Sequence, residues 1–93
     1  MNFPITSQST VATMVDHWLQ QLRAEERLDR TTINEYERVL RKLVVPRLGG
    51  MTLHELTTVR INGVLADLGA QSLNRQRKAK VVTGAMLDAA VAS

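Results

Sequence analysis

Two stretches of the chain carry side chains suited to holding an anion. Thr31, Thr32, Asn34, Arg38, Arg41 and Lys42 fall close together in one, and Asn74, Arg75, Gln76, Arg77 and Lys80 in the other. A guanidinium grips a phosphate or a guanine edge through a two-point fork, and the carboxamides of Asn34 and Gln76 match the donor and acceptor pair on adenine. Threonines that open a helix stand beside free N–H groups and the positive end of the helix dipole, where a phosphate is favoured. Thr32 is equally well explained as a plain N-cap.

Other chemistry is thin. Without cysteine, disulfides, thiolate zinc sites and cysteine nucleophiles are excluded. His17 and His54 stand far apart and in no H-x-x-x-H or H-E-x-x-H arrangement, so no metal is expected. Gly49 and Gly50 lack the surroundings of a phosphate-binding loop, and no serine or threonine has a visible His and Asp partner. Trp18 and Tyr36 fall on apolar stripes and read as core. The expectation is a chain with no catalytic residue and no cofactor.

The charge distribution sharpens the two basic stretches. Twelve Lys and Arg against nine Asp and Glu leave a net +3, which alone is a weak pointer to anionic partners. Residues 27–50 carry +3 and residues 71–93 carry +3, while 1–26 carry −2 and 51–70 carry −1. With 44% apolar residues the chain should fold. No run approaches the roughly 20 apolar residues of a membrane span, and the N-terminus has no signal-peptide pattern, so a cytoplasmic protein is expected.

Ninety-three residues suffice for one small domain. Strand alternation is absent, and the apolar spacing predicts an all-α fold. Val11, Met14, Val15, Trp18, Leu19 and Leu22 define a first helix over residues 10–25, followed by a polar connector. A capping box at Thr32 and Glu35 opens a second helix over 32–45, with Ile33, Tyr36, Leu40, Leu43 and Val44 on one face and Pro46 as its stop. Gly49 and Gly50 supply a turn, and Thr52 with Glu55 frames a single extra helical turn ending near Leu56. A third helix starts at Thr57 or Thr58, carries Ile61, Val64, Leu65 and Leu68, and ends near Gly69. Ser72 caps a fourth that runs to about Ala90, with Ala79, Val82, Ala85, Met86 and Ala89 facing inward. Residues 1–9 are expected to be a flexible segment and 10–91 the folded domain.

On these helices Asn34, Arg38, Arg41 and Lys42 project away from the second apolar stripe, with Arg38 and Arg41 as neighbours. Arg77, Lys80 and Gly84 lie opposite the fourth stripe, with Gln76 and Thr83 alongside. Arg75 and Lys78 point nearer the core side, but they precede most of its apolar residues and can reach past its edge.

The stretch RTTINEYERVLRKLVVPRLGGMTLHELT resembles a known pattern through Thr32, Tyr36, Leu40, Pro46, Leu48, Gly49, Leu53 and Leu56. It is similar to the SAM-like, core-binding N-terminal domain of phage integrases in the tyrosine recombinase family, and the preceding VATMVDHWLQQL looks like that domain's first helix. The resemblance implies a bundle of four main helices, with a short extra turn between the second and third, that clamps one side of a recombination site in double-stranded DNA. It also implies that the second and fourth helices face the DNA, and that the chemistry resides in a separate C-terminal catalytic domain of the same parent, absent from this chain. A monomer in isolation is expected because the four amphipathic stripes can cover one another, and a multimer is expected for the parent on DNA. Two other readings stay open: a helical protein-interaction module using Ala79, Ala85, Ala89 and Ala90, and a small helix-turn-helix regulator. A membrane partner is not expected, because the fourth helix offers mainly alanines.

Overall fold

A computed structural model describes residues 5–92, and four helices are present among them. The first, α1 (Val11–Glu25), opens where the Thr13 amide donates to Thr10 Oγ1 at 3.1 Å, and closes at Glu26 in the left-handed region. The second, α2 (Arg30–Val39), is continued by a π-helical turn (Leu40–Val44) and a further α-helical turn (Val45–Leu48).

Two expectations about α2 are corrected. It begins two residues before Thr32, with Asp29 as N-cap, so Thr31 and Thr32 lie inside its first turn and Glu35 is free of the expected capping box. Nor does Pro46 end it. A proline lacks an N–H and crowds the preceding turn. Here the Val45 amide reaches back to the Leu40 carbonyl, which widens the helix just before the ring and leaves Pro46 in the first turn of the segment that follows. Arg47 Nη1 then donates to the Leu43 carbonyl at 3.2 Å, supplying a side-chain donor beside the proline.

Gly49 closes this helix with ordinary right-handed angles, so its need for glycine is steric. A Cβ there would lie 2.6 Å from the Val45 carbonyl oxygen. The close approach lets the Gly49 carbonyl accept the Ala12 amide at 3.1 Å, pinning the start of α1. The extra turn has the reciprocal bonds expected of it: Glu55 N donates to Thr52 Oγ1, and Thr52 N to Glu55 Oε1.

Residues 5–9 belong to the folded unit. The Leu53 and His54 amides donate to the Ser9 and Ser7 carbonyls, each at 2.8 Å, and Ile5 packs at the core edge. The segment expected to be flexible is therefore tied down from Ile5 onward, and its residues 1–4 lie outside the described residues.

The third helix, α3 (Thr58–Gln71), starts at the Thr57 cap, and the fourth, α4 (Leu73–Ala92), follows after Ser72 alone. Ser72 serves both ends: its amide donates to Leu68 and its hydroxyl accepts from the Arg75 amide at 3.3 Å. Gly69 is inside α3 and is not its terminator. A Cβ on it would meet Gln76 Nε2 at 2.7 Å, because the Gln76 side chain lies over it and donates to the Leu65 carbonyl at 3.0 Å.

The core draws Val11, Met14, Val15, Trp18 and Leu19 from α1, Ile33, Val39, Leu40, Val44 and Leu48 from α2 and its continuation, Leu68 from α3, and Ala79, Val82 and Met86 from α4. Tyr36 stacks on Trp18 with ring centroids 5.7 Å apart, as a packing residue. Thr83, expected beside the polar face, is buried. The architecture is the all-α, four-main-helix bundle expected from the apolar spacing.

Candidate nucleic-acid interface

Arg38 and Lys42 sit four residues apart on α2 and its π-helical continuation, so they share a face. Asn74, Arg75 and Lys78 share a face at the start of α4. The two faces meet across a groove of about 520 Å³ with Val39 and Leu43 among its lining residues and Ser72 at its end. The connection through Ser72 brings the first turns of α4 opposite α2, so cations far apart in sequence line one recess.

One carboxylate stands among these cations. Glu35 accepts from Arg38 through both oxygens, with Nε at 3.0 Å and Nη2 at 2.5 Å, and its Oε1 also accepts from Lys78 Nζ at 3.3 Å. Its pKa is held down at about 2, chiefly by the Arg38 hydrogen bond and then by Lys78, against the desolvation of its surroundings. Arg38 is correspondingly raised by Glu35. Lys42 and Arg75 have no carboxylate partner among the described residues; Arg75 Nη1 reaches only Gln71 Oε1, at 3.5 Å.

The opposite side of α2 is arranged differently. Arg41 donates to Glu37 and to Asp16 of α1, each at 2.9 Å, and Arg23 of α1 donates to Glu37 at 2.7 Å. Glu37 is lowered, first by its hydrogen bond from Arg41, and Arg41 is raised, first by Glu37 and then by Asp16. Arg38 and Arg41, expected as neighbours, thus have diverging partners: Arg38 belongs to the groove and Arg41 to a closed network with α1.

The sequence-predicted residues divide accordingly. Arg38, Lys42, Asn74 and Arg75 come together in the groove. Thr31 is exposed and Thr32 half-buried in the first turn of α2, and neither lines the groove. Asn34 Oδ1 accepts from Arg23 Nη1 at 3.4 Å on the α1 side. The Gln76 amide is already bonded to Leu65, a structural use in place of the expected base contact. Arg77 and Lys80 are exposed on α4 outside the groove lining. Lys78, expected nearer the core, and Ser72, expected only as a cap, are groove residues that the sequence reading did not name as site residues. The signal for Lys78 was its spacing of three and four from Arg75 and Asn74, which puts the three on one stripe.

A helical bundle with a cationic recess between two of its helices defines a small all-α domain. Residues 10–68 match the family model for the phage integrase N-terminal SAM-like domain, and the chain belongs to that family. The match runs from the N-cap of α1 into α3. No curated protein and no solved structure matches the chain. In phage integrases this domain is not the catalytic one. Among the described residues, no helix is long and apolar enough to cross a membrane.

Proposed function

We propose that this domain binds double-stranded DNA through the groove between α2 and α4 and positions a site-specific recombinase on its recombination site, without itself carrying catalytic residues. Lys42 and Arg75 engage backbone phosphates, Arg38 and Lys78 supply further cationic donors, and Asn74 offers an amide to a base edge or phosphate. The observation that carries this reading is the convergence of four cations on a single recess, only two of which, Arg38 and Lys78, are paired with a carboxylate, Glu35. The parent's C-terminal catalytic domain supplies the chemistry, and the isolated domain is a monomer acting in the cytoplasm.

The alanines of α4 argue against an interaction module. Ala79 is buried, and Ala85, Ala89 and Ala90 pack on the domain's own core, so that face is already used. The test is duplex binding by fluorescence anisotropy across a salt series. About four to five phosphate contacts give a log–log slope of roughly −3.6 to −4.5, and Lys42→Ala with Arg75→Ala reduces its size by about 2. Salt-independent binding, or an unchanged slope in the double variant, removes DNA from this groove.

A further inference from the structure

We infer that Glu35 acts as an internal competitor for phosphate in the α2–α4 groove: it holds Arg38 and Lys78 in ion pairs that a DNA backbone must displace, and so restrains the affinity of the groove for DNA. The inference rests on the DNA-binding reading above. Both Glu35 oxygens are occupied by groove cations, Oε2 by Arg38 Nε and Oε1 by Arg38 Nη2 and Lys78 Nζ. These contacts join α2 to α4 across the recess, which is where an incoming phosphate oxygen would have to bond. A carboxylate offers a fork of two oxygens similar in spacing to that of a phosphate. The site is also open to exchange, because the Glu35, Arg38 and Lys78 side chains are each between 42% and 49% exposed. An exposed pair contributes little to stability. Its consequence for an anionic ligand is larger: two of the four groove cations are neutralised in part before DNA arrives, while Lys42 and Arg75 remain available for the first encounter.

When DNA displaces Glu35, the freed carboxylate takes up a counterion and lowers the net number of ions released on binding. Neutralising Glu35 therefore both tightens binding and steepens its dependence on salt.

The experiment compares wild type, Glu35→Gln and Glu37→Gln on one duplex over a salt series, with thermal melts to verify folding. Glu37→Gln makes the same change in net charge on the opposite side of α2. Glu35→Gln is expected to bind about three- to tenfold more tightly at low salt, with a slope steeper by about 1, while Glu37→Gln moves affinity by less than about twofold. Glu35→Ala must change affinity in the same direction. Weaker or unchanged binding in the folded Glu35 variants overturns the inference, as does an equal gain from Glu37→Gln, which reduces the effect to net charge. Lys42→Ala with Arg75→Ala in the same series separates the two levels: if that variant binds as wild type does, the groove reading fails and this inference with it. If the double variant weakens binding but Glu35→Gln changes nothing, only the role of Glu35 falls.

Discussion

The two sides of α2 use the same residue types to opposite ends. Toward α1, Arg23 and Arg41 meet Glu37 and Asp16, two cations against two carboxylates, and the network closes on itself. Toward α4, Arg38, Lys42, Arg75 and Lys78 line one recess, and only Arg38 and Lys78 of the four are paired with a carboxylate, that of Glu35, so positive charge is left in surplus. A count of basic residues along the sequence cannot separate these cases, because Arg38 and Arg41 differ only in where their partners stand. What distinguishes the two faces is the carboxylate supplied by the neighbouring helix: α1 adds Asp16 to Glu37, while α4 adds none to Glu35 in the groove.

The comparison breaks most visibly under charge reversal. Lys42→Glu with Arg75→Glu is expected to reduce duplex affinity by roughly 100-fold at low salt, since two contacts are lost and two repulsions are added. Both side chains are exposed, so the thermal midpoint should move by no more than about 0.5 kcal/mol of stability permits. A large loss of stability alongside the loss of binding would mean that the cations hold the fold.

Gln76→Ala sharpens the boundary between binding and structure. Losing the bond to the Leu65 carbonyl is expected to cost about 1 kcal/mol in denaturant unfolding, with duplex affinity changed by less than twofold. If affinity falls strongly while stability holds, the amide reads DNA after all.

The legible part of this molecule was what periodicity records. The apolar stripes of α1 and α4, the Thr52 and Glu55 capping box and the helix start at Thr57 follow from spacing and from local hydrogen bonding, while the Thr10 cap of α1 was not read from the sequence. Pro46 misled because its cost depends on the turn before it, and the π-helical turn at Leu40–Val44 has no apolar signature of its own. In the site, the basic stretches were visible but their aim was not. Arg41 is turned to α1 by Asp16, 25 residues away in sequence, and Lys78 is brought to the groove by Glu35, 43 residues away. Such partners are fixed by tertiary packing and leave no trace in helical periodicity.

The α1 side makes a smaller prediction. A double-mutant cycle on Asp16→Asn and Arg41→Ala should give a coupling below about 1 kcal/mol, since both side chains are roughly half exposed or more. Arg41→Ala should leave duplex affinity within about twofold of wild type. A loss comparable to that of Arg75→Ala would extend the DNA face around α2 and erase the contrast between its two sides.

The subtlest test is acid titration, which asks how firmly Glu35 is held. Its pKa in the folded domain is lowered from 4.5 to about 2, first by Arg38 and then by Lys78. A depressed carboxylate contributes its stability above the unfolded pKa and loses it as pH falls through the folded value. The difference in thermal midpoint between wild type and Glu35→Gln should therefore be constant from neutral pH to about 5, and shrink between about 4.5 and 2. The difference will be small, because the pair is exposed and screened by solvent. Carboxyl chemical shifts measured by NMR through the same range report the group directly. Glu37 is also depressed, by Arg41 above all, so it too should titrate below the ordinary glutamate range. Should Glu35 titrate near 4.5 while Glu37 is depressed, Arg38 and Lys78 are not engaged by it in solution. The groove would then present all four cations unrestrained, and the difference between the two sides of α2 would be greater than the ion pairs imply.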